Sequence, residues 1–280
     1  MIIENILNQA YQKLNNANIR NANLDCEILL SKIINQKREY VILNSKKSLD
    51  KKHVNIFNNL IERRKKGEPV AYLINEKEFW KETFYVDNTV LIPRPDTELL
   101  IESVMKYTNK DSKLHVLDIG TGSGCILLSI LNERKNFTGT GIDISKKSIK
   151  VSKYNTKRLK LHNRSKFYIS DVDNFLIGKY DIVVSNPPYI ENLSLKYLDS
   201  DVVDYEPKLA LKGGHDGFSE ITKVINRTSN LIKKNGLFVL EIGYKQKNKI
   251  IEMLQLKGFY IKKVLKDYSK NDRCIISTKI

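Results

Sequence analysis

From about residue 99 onward, short β-branched runs alternate with amphipathic stretches, and this alternation constrains the fold more than any other feature. Brief apolar runs closed by turn residues predict strands at 114–119, 138–142, 166–169, 180–185, 237–242, 259–265 and 273–279. Helical periodicity predicts helices near 98–108, 124–134, 145–160, 216–234 and 245–257. Strands that alternate with helices build a mostly parallel sheet covered on both faces, an α/β architecture of seven strands. One gap, 190–215, is long for a compact domain, and long gaps are commonly lids or binding loops. No internal repeat interrupts the pattern.

The residues before this region read differently. Ile2, Ile3, Ile6, Leu7, Ala10 and Leu14 form one helical apolar face. A second set, Ile28, Leu29, Leu30, Ile33 and Ile34, follows Asn23-Leu24-Asp25. A third, Val54, Phe57, Leu60 and Ile61, ends in Glu62-Arg63-Arg64-Lys65-Lys66-Gly67, a basic last turn and a glycine stop. That basic end is either a solvated helix terminus or a docking point. Phe79-Trp80 and Phe84-Tyr85-Val86 read as a hairpin or two short strands, and Pro93 and Pro95 stiffen the segment Leu91 to Glu98. Asp96 or Thr97 is placed to cap the helix that begins near Glu98. The expected organisation is a small helical bundle over 1–75, a hairpin linker over 76–97 and the α/β domain over 98–280.

With 280 residues and 41% apolar content the chain has material for a full core. The net charge of +16 suits an acidic partner, but the lysines are dispersed, as a composition rich in Lys, Asn and Ile would leave them. Cys26, Cys125 and Cys274 are scattered and odd in number, which argues for a reducing compartment. His53, His115, His162 and His215 form no ligand pattern with them, so no metal is expected. There is no leader-like segment and no apolar span of membrane length. The expectation is a cytoplasmic monomer without membrane or direct nucleic-acid partners.

Two loops carry the chemistry. The first predicted strand runs into Asp118-Ile119-Gly120-Thr121-Gly122-Ser123-Gly124. Glycines at alternate positions let the backbone approach a ligand, and the following helix N-terminus suits a carboxylate or phosphate. A carboxylate ahead of the loop suits a cationic amino group. Asp143, at the end of the second strand, stands where a carboxylate would hold a ribose hydroxyl pair. Asp171, ending the third strand, is placed for an adenine amino group or for capping the strand end. A ribose-bearing amino acid meets these demands, and S-adenosylmethionine is such a molecule.

The second loop is Asn186-Pro187-Pro188-Tyr189, directly after the strand Tyr180 to Ser185. Consecutive prolines force a rigid, extended exit. The Asn186 side-chain oxygen and the Pro187 carbonyl can each accept one N–H of a planar NH2 group, while the Tyr189 ring can stack on its plane. Adenine N6, cytosine N4 and a glutamine amide all fit that description.

Together the two loops resemble a class I S-adenosylmethionine-dependent methyltransferase acting on nitrogen, with a Rossmann-like domain. The remaining motifs narrow the resemblance. Arg63 to Leu73, Glu78-Phe79-Trp80, Leu91-Ile92-Pro93-Arg94-Pro95-Asp96-Thr97-Glu98, Glu206-Pro207 with Ala210-Leu211, and Asp267-Tyr268 with Asn271-Asp272-Arg273 resemble the PrmC/HemK family of release factor glutamine N5-methyltransferases. The resemblance covers nearly the whole chain. It implies that Gly120, Thr121, Gly122, Ser123 and Gly124 bind the methionine part of the cofactor, that Asp143 binds its ribose, and that Asp171, Val172 and Asn186 border it. It implies further that Asn186, Pro187, Pro188 and Tyr189 receive the glutamine of the Gly-Gly-Gln loop of peptide chain release factors, with Asn186, Pro187 and Tyr189 catalytic. The helical domain would dock the release factor. After Asp171 the family often carries an aromatic residue, and this chain has Val172, which weakens stacking there. An adenine-N6 or cytosine-N4 methyltransferase is the alternative, although no separate target-recognition region is evident.

Overall fold

The computed structural model describes residues 1–280, which form two compact units. The first comprises Met1–Glu76 together with Asp199–Tyr205. Its helices are α1 (Ile3–Asn15), α2 (Ala22–Ile33), α3 (Arg38–Leu43), α4 (Lys51–Lys65) and α5 (Val70–Ile74). The apolar faces read from the sequence meet in one core that includes Ile3, Ile6, Leu14, Leu29, Leu30, Phe57 and Ile61. The basic end of α4 is largely engaged internally. Arg64 donates to the nearly buried Asp25 at 2.7 Å and to the carbonyls of Gly67 and Glu68. Arg63 donates to Glu68 at 2.8 Å. These two guanidiniums close the last turn of α4, Arg63 from an exposed position, and Lys65 and Lys66 are exposed beside it.

The second unit comprises Lys77–Leu198 and Glu206–Ile280. The hairpin β1 (Glu76–Phe79) and β2 (Glu82–Tyr85) leads in, turning at Trp80 with φ +57°. There follow α6 (Glu98–Tyr107), β3 (His115–Ile119), α7 (Cys125–Glu133), β4 (Thr138–Asp143), α8 (Lys146–Arg158), β5 (Ser165–Ile169) and β6 (Tyr180–Ser185). The long connection after β6 contains α9 (Ser200–Tyr205), which groups with the first unit, its Tyr205 hydroxyl donating to the Lys66 carbonyl at 2.9 Å. Then come α10 (Ser219–Leu231), β7 (Ile232–Glu241), α11 (Lys247–Leu256), β8 (Phe259–Lys266) and β9 (Asp272–Lys279).

The seven strands of the main sheet run in the order β5-β4-β3-β6-β7-β9-β8. The first five are parallel, and β9 pairs antiparallel with both β7 and β8. Alternate side chains of one strand enter opposite cores, as a strand's two-residue period requires. Ile182 and Val184 of β6 join the core under α6 and α7, whereas Val183 joins the core with Ile221, Val224 and Ile225 of α10. Such two-sided burial is worth about 1.5–3 kcal/mol per large aliphatic side chain and explains why β6 carries three consecutive apolar residues, Ile182 to Val184.

The predicted strands and helices of the α/β region agree with the structure to within a few residues, except at β7, while α3, α5 and α9 have no predicted counterpart. At β7, α10 stops at Leu231 and the strand starts at Ile232, ahead of the predicted 237. Asn235 takes φ +61°, a conformation open to Asn, and returns the backbone to extended pairing across a register shift opposite Tyr180–Ile182.

Candidate active site

The strand order reverses direction at β3, whose neighbours are β4 and β6. The carboxyl ends of parallel strands flanking such a reversal form a crevice, because successive crossovers leave in opposite directions there. A cavity of about 290 Å³ occupies this place. Loops from four strand ends converge on it: Gly120 and Gly122 after β3, Asp143 to Ser145 at β4, Ser170 to Val172 after β5, and Asn186 to Pro188 after β6.

The glycine turn is built by left-handed backbone. Gly120, Gly122 and Gly124 have φ of +75°, +54° and +82°, values costly for any residue with a Cβ. The amides of Gly120 and Thr121 both donate to the Ile142 carbonyl at 2.9 Å, tying the turn to β4. A Cβ on Gly120 would meet no atom within 4 Å, so that face of the loop is open to the cavity. By contrast, a Cβ on Gly124 would meet Leu128 Cδ1 at 3.1 Å and Ser152 Cβ at 3.2 Å, so Gly124 serves packing. Thr121, Ser123 and Gly124 are buried behind the cavity wall. Asp118 lies wholly inside, where its Oδ2 accepts the Thr121 hydroxyl at 2.7 Å; it does not line the cavity. The carboxylate expected to face an amino group is therefore a brace within the turn. Burial pushes its carboxyl up to about 7.

Asp143 accepts the Gly122 amide at 3.0 Å and the Ser145 amide at 2.8 Å, which fixes the carboxylate at the cavity edge with lone pairs to spare. Burial raises its pKa against these two bonds. Asp171 lines the cavity and also caps the following turn, accepting the Asp173 amide at 2.9 Å, so both roles open to it in the sequence are available. Val172 lines the cavity as well and packs into the core with α10.

Asn186, Pro187 and Pro188 form the facing wall. Asn186 donates its Nδ2 to Thr97 Oγ1 at 3.1 Å, which leaves Oδ1 as the free end of the amide. No group of the chain donates to the Pro187 carbonyl. Tyr189 is placed differently from its expected stacking position. Its ring packs toward the core, its hydroxyl donates to Glu241 Oε1 at 3.3 Å and accepts from Arg273 Nη1 at 3.3 Å, and its carbonyl accepts from Gln246 Nε2 at 3.2 Å. It does not line the cavity and anchors the far end of the loop.

Several cavity residues have no counterpart in the sequence reading. Thr89 to Leu91, Ser148, Leu209, Lys212, Glu220 and Lys223 all reach the wall. Gly213 and Gly217 press on the Tyr189 backbone, where a Cβ would come within 2.8 Å and 2.6 Å of it. The cluster Gly213-Gly214 and Gly217 in a long loop was the available signal. Glu206 is buried, pairs with Arg94 and accepts the Ile92 amide at 3.2 Å, so the long loop is latched to the Pro93–Pro95 segment.

A glycine turn, a fixed carboxylate and an Asn-Pro-Pro loop gathered at the strand ends of a doubly wound sheet define a class I methyltransferase, whose methyl donor is S-adenosylmethionine. The cradle fits that donor: an open glycine face and a fixed carboxylate stand at adjoining strand ends. The PrmC N-terminal domain family matches residues 5–74, and a methyltransferase domain family matches residues 110–275. A release factor glutamine methyltransferase of Buchnera aphidicola subsp. Baizongia pistaciae is 37% identical over 100% of both chains. One from Clostridium acetobutylicum is 36% identical over 100% of this chain and 99% of its own. Among solved structures, a methyltransferase from Pyrococcus furiosus superposes with a TM-score of 0.51 at 18% identity, covering 70% of this chain and 89% of its own, a likeness of fold alone. The chain belongs to the release factor glutamine methyltransferase family.

Proposed function

We propose that this protein transfers a methyl group from S-adenosylmethionine to the side-chain amide nitrogen (N5) of the glutamine in the Gly-Gly-Gln loop of peptide chain release factors. One observation carries the reading: the Asn186–Pro187 acceptor pair shares a single cavity with the Gly120–Gly122 turn and Asp143. When bound, S-adenosylmethionine supplies an electrophilic methyl on a sulfonium. Gly120, Gly122 and the Asp143 carboxylate hold its amino-acid and ribose ends, and Asp171 and Val172 border its base.

An amide nitrogen is a weak nucleophile because its lone pair is shared with the carbonyl. Asn186 Oδ1 and the Pro187 carbonyl accept both of its N–H bonds and so fix the nitrogen in the cavity wall. As the nitrogen rehybridises and becomes more positive these two bonds strengthen, so they favour the transition state over the ground state. Fixed orientation supplies the entropic part. Pro188 keeps the loop stiff, and Tyr189 ties it down through Glu241, Arg273 and Gln246. No lysine, histidine or cysteine stands in either loop, so Asn186 and Pro187 act by holding the amide nitrogen in place, and the bound donor would supply the methyl group to it without a covalent enzyme intermediate.

The helical unit is read as the docking element for the release factor, and the protein as a cytoplasmic monomer without direct contact to nucleic acid. Three unpaired, buried cysteines support the reducing setting, and no helix is long and apolar enough to cross a membrane. The test offers release factor, DNA and RNA in parallel with labelled methyl donor, followed by mass spectrometry of the Gly-Gly-Gln peptide. A single methyl on that glutamine, reduced about 10²–10³-fold in Asn186→Ala with cofactor affinity retained, is expected. Label on nucleic acid alone would overturn the proposal.

A further inference from the structure

Two motifs that the methyl transfer leaves unused are joined by one buried side chain. Glu206 opens the stretch that includes Pro207, Ala210 and Leu211, and it is 4% exposed. Its Oε2 accepts the Ile92 amide at 3.2 Å and its Oε1 accepts Arg94 Nη2, both from the Leu91 to Glu98 segment. At the far end of the stretch the Ile190 amide donates to the Leu211 carbonyl at 3.3 Å, and the Gly213 amide donates to the Ile190 carbonyl at 2.8 Å. Residues 207–212 are therefore pinned at both ends. One pin stands beside Leu91, the other beside the Asn186–Tyr189 loop. Between them Pro207, Leu209, Ala210 and Lys212 line the cavity, as Leu91 and Pro188 do next to the two pins. The stretch is a strap running from one cavity wall to another.

The pins differ in kind. The one at Ile190 is backbone pairing, backed by Gly213 packed so closely on Tyr189 that a Cβ would come within 2.8 Å. The one at Glu206 is a single carboxylate. Its bond to a guanidinium is charge-assisted and shielded from water, and a carboxylate at this depth is tolerated only while its oxygens keep partners. We propose that Glu206, held by Arg94 and the Ile92 amide, is a positioning residue that keeps the strap over bound S-adenosylmethionine, and that release of this pin lets the spent cofactor leave. This rests on the reading of the cavity as the cofactor site. Glu206 does not line the cavity, so it acts through Pro207, Leu209 and Ala210. Closures of this type commonly set the rate of product release.

The test loads the full-length protein with labelled S-adenosylhomocysteine and chases it with excess unlabelled compound. Wild type, Glu206→Gln, Arg94→Gln and the double variant are compared, with thermal unfolding in parallel. Single-turnover methylation of release factor at saturating S-adenosylmethionine is measured on the same proteins. Each single variant is expected to lose the ligand about tenfold faster, the worth of one charge-assisted hydrogen bond. The double variant is expected to lose it no faster than the quicker single, because one pin is broken only once. Methyl transfer at saturation is expected to stay within about twofold, since the Asn186–Pro187 pair is untouched. Should Arg94→Gln fail to fold, the double variant, which buries no charge, carries the comparison with Glu206→Gln. Wild-type release from folded Glu206→Gln, or additive acceleration in the double variant, would overturn the proposal, as would a lower melting temperature with no change in release. Asp143→Ala separates the two readings. Unchanged affinity there would remove the cofactor from this cavity, and the strap's role with it. Weakened affinity there, with unaltered release from Glu206→Gln, would refute the strap alone.

Discussion

Replacing Gly120 by alanine separates a glycine required by backbone geometry from one required by a ligand. The residue has φ +75°, and a left-handed residue with a Cβ costs about 1–2 kcal/mol. Alanine also narrows the unfolded ensemble, which returns about 0.4–1 kcal/mol. The added Cβ meets nothing within 4 Å, so no internal clash adds to this. The net loss is about 1 kcal/mol, or about 2–4 °C in melting temperature for a unit of this size. The space the methyl enters is the cavity itself. An extra methyl against a closely fitted ligand costs about 1–3 kcal/mol, which weakens S-adenosylmethionine binding about 5- to 150-fold. Gly124→Ala is the control. Its φ of +82° carries the same penalty, and contacts of 3.1 Å to Leu128 and 3.2 Å to Ser152 add to it, but it does not line the cavity. Calorimetric titration with S-adenosylhomocysteine, paired with thermal unfolding, reads both quantities. Gly120→Ala is expected to lose affinity out of proportion to stability, and Gly124→Ala the reverse. Unchanged affinity in Gly120→Ala would refute the placement of the cofactor over this turn.

Other perturbations test other parts of the structure. Asp143→Ala strands the amides of Gly122 and Ser145, so unfolding measurements should register a loss of about 1–3 kcal/mol alongside weaker cofactor binding in titration. Arg64→Ala leaves Asp25 nearly buried and unpaired, and denaturation should find the protein less stable by about 3–5 kcal/mol, with much of that recovered when Asp25→Asn is added. Asp118 holds its proton up to about pH 7 in the folded state and loses it near 3.8 when unfolded. Between those values the folded state binds more protons, so the wild type should lose stability relative to Asp118→Asn as pH rises through the window, by at most about 1.4 kcal/mol per unit. Parallel pH-dependent melting curves for the two proteins would contradict this.

Features set by neighbours in the chain were legible from the sequence. The strand Tyr180 to Ser185 and its exit through Pro187-Pro188 depend on β-branching and imino-acid geometry, both local. The glycine turn was legible because only glycine takes three left-handed positions in five residues. That Gly120, Asp143, Asp171 and Asn186 would meet followed from the rule that parallel strand ends form the crevice, once alternation implied a parallel sheet. Side-chain partners were not legible in the same way. Thr97 read, with Asp96, as one of two residues placed to cap the next helix, yet its hydroxyl meets Asn186, 89 residues later. Arg63 and Arg64 read as a solvated or docking terminus, but Asp25, 39 residues away, and Glu68 take them.

The sequence by itself determined which loops could approach a cofactor and which could accept an NH2 group, because backbone stiffness and glycine freedom belong to single residues and short runs. Only the tertiary structure decided which polar side chains brace those loops. Asp118 turned inward, Tyr189 drew back to Glu241 and Arg273, and Thr97 turned to Asn186. A buried polar group must find its partner wherever packing brings one, and that choice depends on distances no stretch of sequence contains.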